Sequence, residues 1–168
     1  MPDIVLVQEL GTSIAGGSVV CASSLSNFFS VPNALAAKAL CRKKNILLHV
    51  RSYEIDDGDM LELARAGSAF VFSFSDILSE SGFRRAILLS KMRLVLAVCR
   101  KRGTGFVFVT LAKDVSSMRS ARELSAFAAV LGMSDVERKT AEKKLLSLAG
   151  GSMKPKKPAP PVSTQVKK

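Results

Sequence analysis

The segments FVFSFSDIL (Phe70–Leu78), RRAILLSKMRLVLAVCRKR (Arg84–Arg102), GFVFVT (Gly105–Thr110) and MRSARELSAFAAVLG (Met118–Gly132) decide the reading of this chain. A short apolar run, an amphipathic basic run, a second apolar run and a second amphipathic run follow one another with little between them. That order predicts strand, helix, strand, helix, and so a parallel βα unit. Between Ser81 and Lys113 stand Arg84, Arg85, Lys91, Arg93, Arg100, Lys101, Arg102 and Lys113, and no acid. Such a unit repels itself unless something anionic faces it, and a polyphosphate backbone is the expected partner.

The same alternation extends outward. Ile4–Val7, Val19–Ala22, Ile46–Val50, Phe70–Ser75 and Phe106–Thr110 read as buried strands, continuous in apolar character as in a sheet covered on both faces. Ala34–Lys43, Met60–Ala66, Arg84–Lys101, Arg122–Leu131 and Val136–Leu148 read as helices. Ser120-Ala-Arg-Glu123 and Ser134-Asp-Val-Glu137 are capping boxes, in which serine and glutamate each satisfy an orphan N–H. Gly103 and Gly132 stand where helix C-caps are expected.

The chain has 168 residues, a formal net charge of +11 and 48% hydrophobic residues, enough for one domain with a core. From Gly150 the composition changes to GGSMKPKKPAPPVSTQVKK, with five lysines and no acid. Residues 1–149 are therefore expected to form the domain, and 150–168 a flexible Lys/Pro-rich tail. Twenty basic and 14 acidic residues lie outside the tail, so the domain is basic in its own right. No apolar run reaches the about 20 residues of a spanning helix, and Met1–Gly11 carries no secretory pattern. Nucleic acid is expected rather than membrane, in the cytoplasm. Cys21, Cys41 and Cys99 lack CxxC spacing and read as buried thiols, not as a disulfide framework or zinc site.

On a helical projection of Arg84–Arg102, Leu88, Met92, Val95 and Cys99 form an apolar stripe. Arg93, Arg100 and Lys101 fall opposite it, where a solvated face is the ordinary reading. Lys91 falls inside the apolar arc, either snorkelling at the core rim or touching phosphate. The Leu111–Glu123 loop joins a strand to a capped helix and carries Lys113, Arg119 and Arg122, at the end of the sheet where α/β folds meet ligands. His49, the only histidine, is followed by Arg51; a lone histidine is more often a hydrogen bonder than a catalyst. No Ser-His-Asp or Cys-His arrangement is specified by spacing. Glu54, Asp56, Asp57 and Asp59 could hold Mg²⁺, but acids at a helix start more often balance its dipole. No GxxxxGK[ST] or GxGxxG occurs. The phenylalanines sit in predicted strands, which favours an electrostatic contact over base stacking.

These motifs, in this order, resemble the archaeal ribonuclease P protein component 3 family, related to a eukaryotic subunit shared with RNase MRP. Phe72-Ser73-Phe74-Ser75 with Ile77-Leu78 matches its phenylalanine-rich strand end. Arg84 or Arg85 matches its helix arginine, and Arg119-Ser120 with Leu131-Gly132-Met133 its closing motifs. Ala121 stands where that family has proline, Glu123 where it has aspartate, and Thr110-Leu111-Ala112 where it has a Ser-Ser-Gly-like run. The resemblance spans residues 47–137. It implies a TIM-barrel-like fold similar to PHP phosphoesterases, here shortened, since a full barrel takes about 200 residues or more. It implies a subunit of ribonuclease P that assists the catalytic RNA in removing 5′ leaders from precursor tRNA. The partners would be that RNA, the other protein subunits and, indirectly, precursor tRNA. Mg²⁺ would serve the RNA-based holoenzyme; this chain would supply no catalytic residue and no metal site, since a PHP-type centre needs several histidines. Arg84, Arg85, Lys91, Lys113, Arg119, Arg122, His49 and Arg51 are the expected RNA- or partner-binding residues. The alternatives are a small metal-dependent α/β phosphoesterase using the Glu54–Asp59 acids, and a generic RNA- or ribosome-associated basic protein.

Overall fold

The computed structural model describes residues 4–7, 18–21, 25–112 and 118–150. Strands β1 (Ile4–Val7) and β2 (Ser18–Cys21) pair in parallel, Ile4 opposite Ser18. The main sheet holds β3 (Phe28–Val31), β4 (Leu47–Val50), β5 (Ala69–Ser73) and β6 (Gly105–Val109), side by side in chain order and all parallel. Between them run α1 (Ala34–Lys38), α2 (Asp57–Arg65), α3 (Phe74–Ser79) and α4 (Gly82–Arg102), and after β6 come α5 (Ala121–Val130) and α6 (Asp135–Gly150).

A parallel sheet that advances one strand at a time, with right-handed crossovers, sends its helices to one face. The burial agrees. Val31, Leu48, Val50, Phe70, Phe72, Phe106 and Phe108 face Ala37, Met60, Leu63, Met92, Val95, Leu96, Cys99 and Ala128 of the helices. Burying a phenylalanine fully contributes about 2–3 kcal/mol, so Phe70 and Phe72 alone give β5 a strong reason to be central. The alternate positions Leu47, Ala69, Val71, Val107 and Val109 face the other way, and there the second half of α6 covers them with Leu145, Leu148 and Ala149. Thus β4 and β5 are buried at every position, the polar His49 and Ser73 included, as their largely apolar sequence predicts.

Helix α6 crosses beneath the amino ends of the strands. Lys144 Nζ donates to Gly67 O (2.8 Å) just before β5, and Asn27 Nδ2 to Leu148 O (3.0 Å) just before β3. The Lys144 stem presses on Gly105, where an added Cβ would stand 3.1 Å from Lys144 Cε and 3.2 Å from Ser68 O. A larger residue there would make the Lys144 stem or the Ser68 carbonyl give by a few tenths of an ångström, so glycine eases the approach of α6 to the start of β6. At the same end Gly103, at φ +68°, closes α4.

Several expectations shift. Phe28–Val31, in SNFFSV, is a strand that the apolar pattern did not reveal. The strand expected over Phe70–Ser75 stops at Ser73, because Ser73 Oγ accepts from Asp76 N–H (3.4 Å) and starts α3. The helix expected over Ala34–Lys43 ends at Lys38 and continues as turns. Both capping boxes form. The fold is α/β with a four-stranded parallel sheet; the described strands form two separate sheets and no closed barrel. The tail expected over 150–168 loses Gly150, which ends α6, and its remainder, 151–168, lies outside the described residues, as does Lys113. Among the described residues no helix is long and apolar enough to cross a membrane.

Candidate nucleic-acid interface

The carboxyl end of the main sheet gathers the polar side chains. His49 on β4 is 2% exposed; its Nε2 lies 2.8 Å from Asp76 Oδ2 and its Nδ1 2.9 Å from Ser30 Oγ on β3. Tyr53 OH donates to the same Asp76 oxygen (2.8 Å) and accepts from Ser73 N–H (2.9 Å). Burial, then the Asp76 carboxylate, push the Tyr53 phenol well above its ordinary range, so it stays a neutral donor. Tyr53 also sits at φ +50°, a region bulky residues avoid. Its two hydrogen bonds and its stacking on Phe72 hold it there. The network clamps the turn after β4 to the start of α3.

The structure therefore places His49 inside, not on a binding surface. Both ring nitrogens are occupied, and the ring has no reach to a macromolecule. The Ser30–His49–Asp76 chain was invisible in sequence because its members come from β3, β4 and α3. Strand pairing sets Ser30 opposite His49.

Around this buried core the arginines divide. Arg51 follows β4, Arg84 and Arg85 open α4, and Arg119 and Arg122 bracket the start of α5. Only Gly103 and Thr104 separate α4 from β6, so the 21-residue α4 must begin some 30 Å away, at the carboxyl end of the sheet. The start of α5 is fixed at that end by Phe74, which packs on Phe127 with ring centres 4.9 Å apart and lies under the Arg119 guanidinium. Arg51, Arg84 and Arg122 are exposed, and their side chains have no partner among the described residues. Arg85 Nε donates to Glu80 O (2.8 Å), and Arg119 to Met118 O (2.7 Å), with Glu123 at 3.9 Å.

The rest of the α4 charge is answered within the chain, contrary to the expectation of an unopposed basic helix. Lys91 pairs with Glu54, and Lys101 and Arg102 with Asp57. Arg100 grips Glu137 through Nε (2.7 Å) and Nη2 (2.9 Å) and also donates to Gly132 O; Arg93 donates to Val130 O (3.0 Å). The solvated face expected for Arg93 and Arg100 is instead the seam holding α5 and α6 to α4. Arg100 and the Ser134 N–H hold the Glu137 carboxyl down at about 2. Sequence distance hid these pairings, since all three acids lie more than 30 residues from their partners.

The same pairings bear on metal binding. Glu54 and Asp57 are committed to cations, and among the described residues no group of three or more His, Cys, Asp and Glu is placed to hold a metal. The ligand set of a PHP-type centre does not fit these residues. Cys41 and Cys99 are buried free thiols, pushed up to about 11 and about 12, mainly by burial.

No protein-family profile and no curated protein matches the sequence. The fold does have a counterpart among solved structures. A chain in the cryo-EM structure of archaeal ribonuclease P with mature tRNA superposes with a TM-score of 0.66 at 15% identity, over 84% of this chain and 67% of that one. The α/β fold of this chain is thus shared with a chain of that structure.

Proposed function

We propose that this chain is a protein subunit of ribonuclease P, a scaffold that binds the catalytic RNA and partner proteins while the RNA cleaves precursor tRNA. The observation that carries the reading is the fold match to a chain of that assembly. The chain-order parallel sheet is what a segment of a barrel-like, PHP-related architecture would have, and on this reading it is one. Phosphate contact falls to the carboxyl end of the sheet, through Arg51, Arg84 and Arg122, with Arg119 beside them. Guanidinium groups near helix starts suit phosphate oxygens, since the exposed N–H groups there add to the same field. Three free arginines at one end are a modest footprint, so the contact positions the RNA and does not read its sequence.

Reconstitution with the RNA and the other protein subunits tests this. The double change Arg84→Ala, Arg122→Ala should leave the melting temperature unchanged, because neither side chain has a partner. It should lower leader cleavage at limiting protein and flatten the salt dependence of RNA binding by up to about two units of slope. Full activity with an unchanged slope would remove these arginines from the interface. Metal-dependent hydrolysis of phosphoesters by the purified chain alone would favour the phosphoesterase reading instead.

A further inference from the structure

Helix α4 is apolar on two sides. Leu88, Met92, Val95 and Cys99 face the core. About 140° round the helix, Phe83, Ile87, Ser90, Leu94 and Ala97 follow one another at steps of four, three, four and three residues, the spacing of a heptad seam. This second stripe is bare: Phe83 is 80% exposed, Ile87 41% and Leu94 66%, and Ser90 and Ala97 are exposed too. Val130 (56%) and Val136 (74%) extend it sideways, because Arg93 and Arg100 reach across to Val130 O and Glu137. Single exposed apolar residues are ordinary, but Phe83, Ile87 and Leu94 on one line of a helix, with the small Ser90 among them and Lys101 closing the line, mark a contact surface.

Charge selects the occupant. Arg84 and Lys91 flank the seam on one side, Arg93 and Arg100 on the other, with no acid in α4 itself. Glu54 and Glu137 offset two of these, leaving Arg84 and Arg93 without a carboxylate partner. A second copy of α4, in either direction, would set arginine and lysine against arginine and lysine. The chain's own Lys154–Lys168 segment, with five lysines and no acid, is repelled for the same reason. Nucleic acid would meet the flanking charge, but its backbone has nothing to bury the leucine and isoleucine. We propose that the exposed seam of α4 docks an amphipathic helix of a different protein, with apolar residues at heptad spacing and Glu or Asp at its flanks. The inference shares Arg84 with the RNA reading above but is carried by the exposed apolar row, and it is tested without tRNA cleavage.

The probes are two 21-residue helical peptides with leucine at both seam positions, one with glutamate and one with lysine at the flanks. Binding to the full chain is measured by fluorescence anisotropy at low and high salt. The glutamate peptide should bind, weaken with salt, and exceed the lysine peptide by about tenfold or more. The double change Ile87→Glu, Leu94→Glu should abolish that binding, while circular dichroism shows an unchanged melting temperature, since both side chains are solvent-facing. Should that variant unfold, Leu94→Ser with the same two peptides replaces it. Equal binding of the two peptides, or no binding of either, overturns the proposal. So does a dimer in sedimentation that the double change dissolves.

Discussion

Tyr53 shows how much one side chain can hold. Its backbone is in the left-handed region, its ring is buried against Phe70 and Phe72, and its hydroxyl joins Asp76 to the Ser73 amide. The hydroxyl is what makes the strained turn worthwhile, because without it a buried N–H and a carboxylate each lose a partner. Tyr53→Phe should therefore cost about 1–3 kcal/mol in urea unfolding, although the ring itself still fits. A cost below about 0.5 kcal/mol would mean that solvent replaces the hydroxyl. The same reasoning explains why His49, named from sequence among the binding residues, serves as the structural hydrogen bonder that a lone histidine more often is. Its polarity is satisfied by Ser30 and Asp76, and neither is near it in the chain.

At the scale of elements, α4 organises the helical face through ion pairs that reach α2 and α6 and a hydrogen bond to α5. The Arg100–Glu137 pair also completes the second capping box, where Ser134 N–H donates to Glu137 Oε2 (2.8 Å). Glu137 is held at about 2 in the folded chain, against an ordinary value of 4.5. A carboxyl depressed on folding contributes stability that is present above its unfolded value and lost as pH falls through the folded one. The contribution should thus be intact at pH 6 and disappear between pH 4.5 and about 2. The pair is partly exposed, so solvent screening limits it to about 1 kcal/mol. Glu137→Gln should destabilise the protein by that amount at pH 6, and the gap between variant and parent should close by about pH 2. A gap that stays constant across thermal melts from pH 6 to pH 2 would show that the glutamate acts through its cap geometry and not its charge.

For the whole molecule, the decisive quantity is where uncancelled charge remains. Internal pairs absorb most of the basic residues of α4, and Arg51, Arg84 and Arg122 are left at one end of the sheet. The Lys154–Lys168 segment then supplies five of the net eleven positive charges. Deleting it should weaken RNA binding and lower the salt slope more than any single arginine change does. The melting temperature should not move, because Leu145, Leu148 and Ala149, which tie α6 to the sheet, precede the deletion. A fall in melting temperature with the slope unchanged would assign the segment to folding instead.

The sequence by itself determined the α/β class, the parallel character of the sheet, four of the six strands to within a residue of their limits and both capping boxes. Each of these is written in neighbouring residues: unbroken apolar runs, serine three before glutamate, glycine after a basic turn. The strand Phe28–Val31 escaped because Ser30 interrupts its apolar run, leaving only the pair Phe28-Phe29 between polar neighbours. Only the tertiary structure decided the candidate site. It put His49 beside Ser30 and Asp76, turned the acids at Glu54 and Asp57 toward α4, and left one arginine on each of three junctions unpaired. Contacts between residues twenty or more apart depend on how strands align and how helices pack, and local composition carries no record of that.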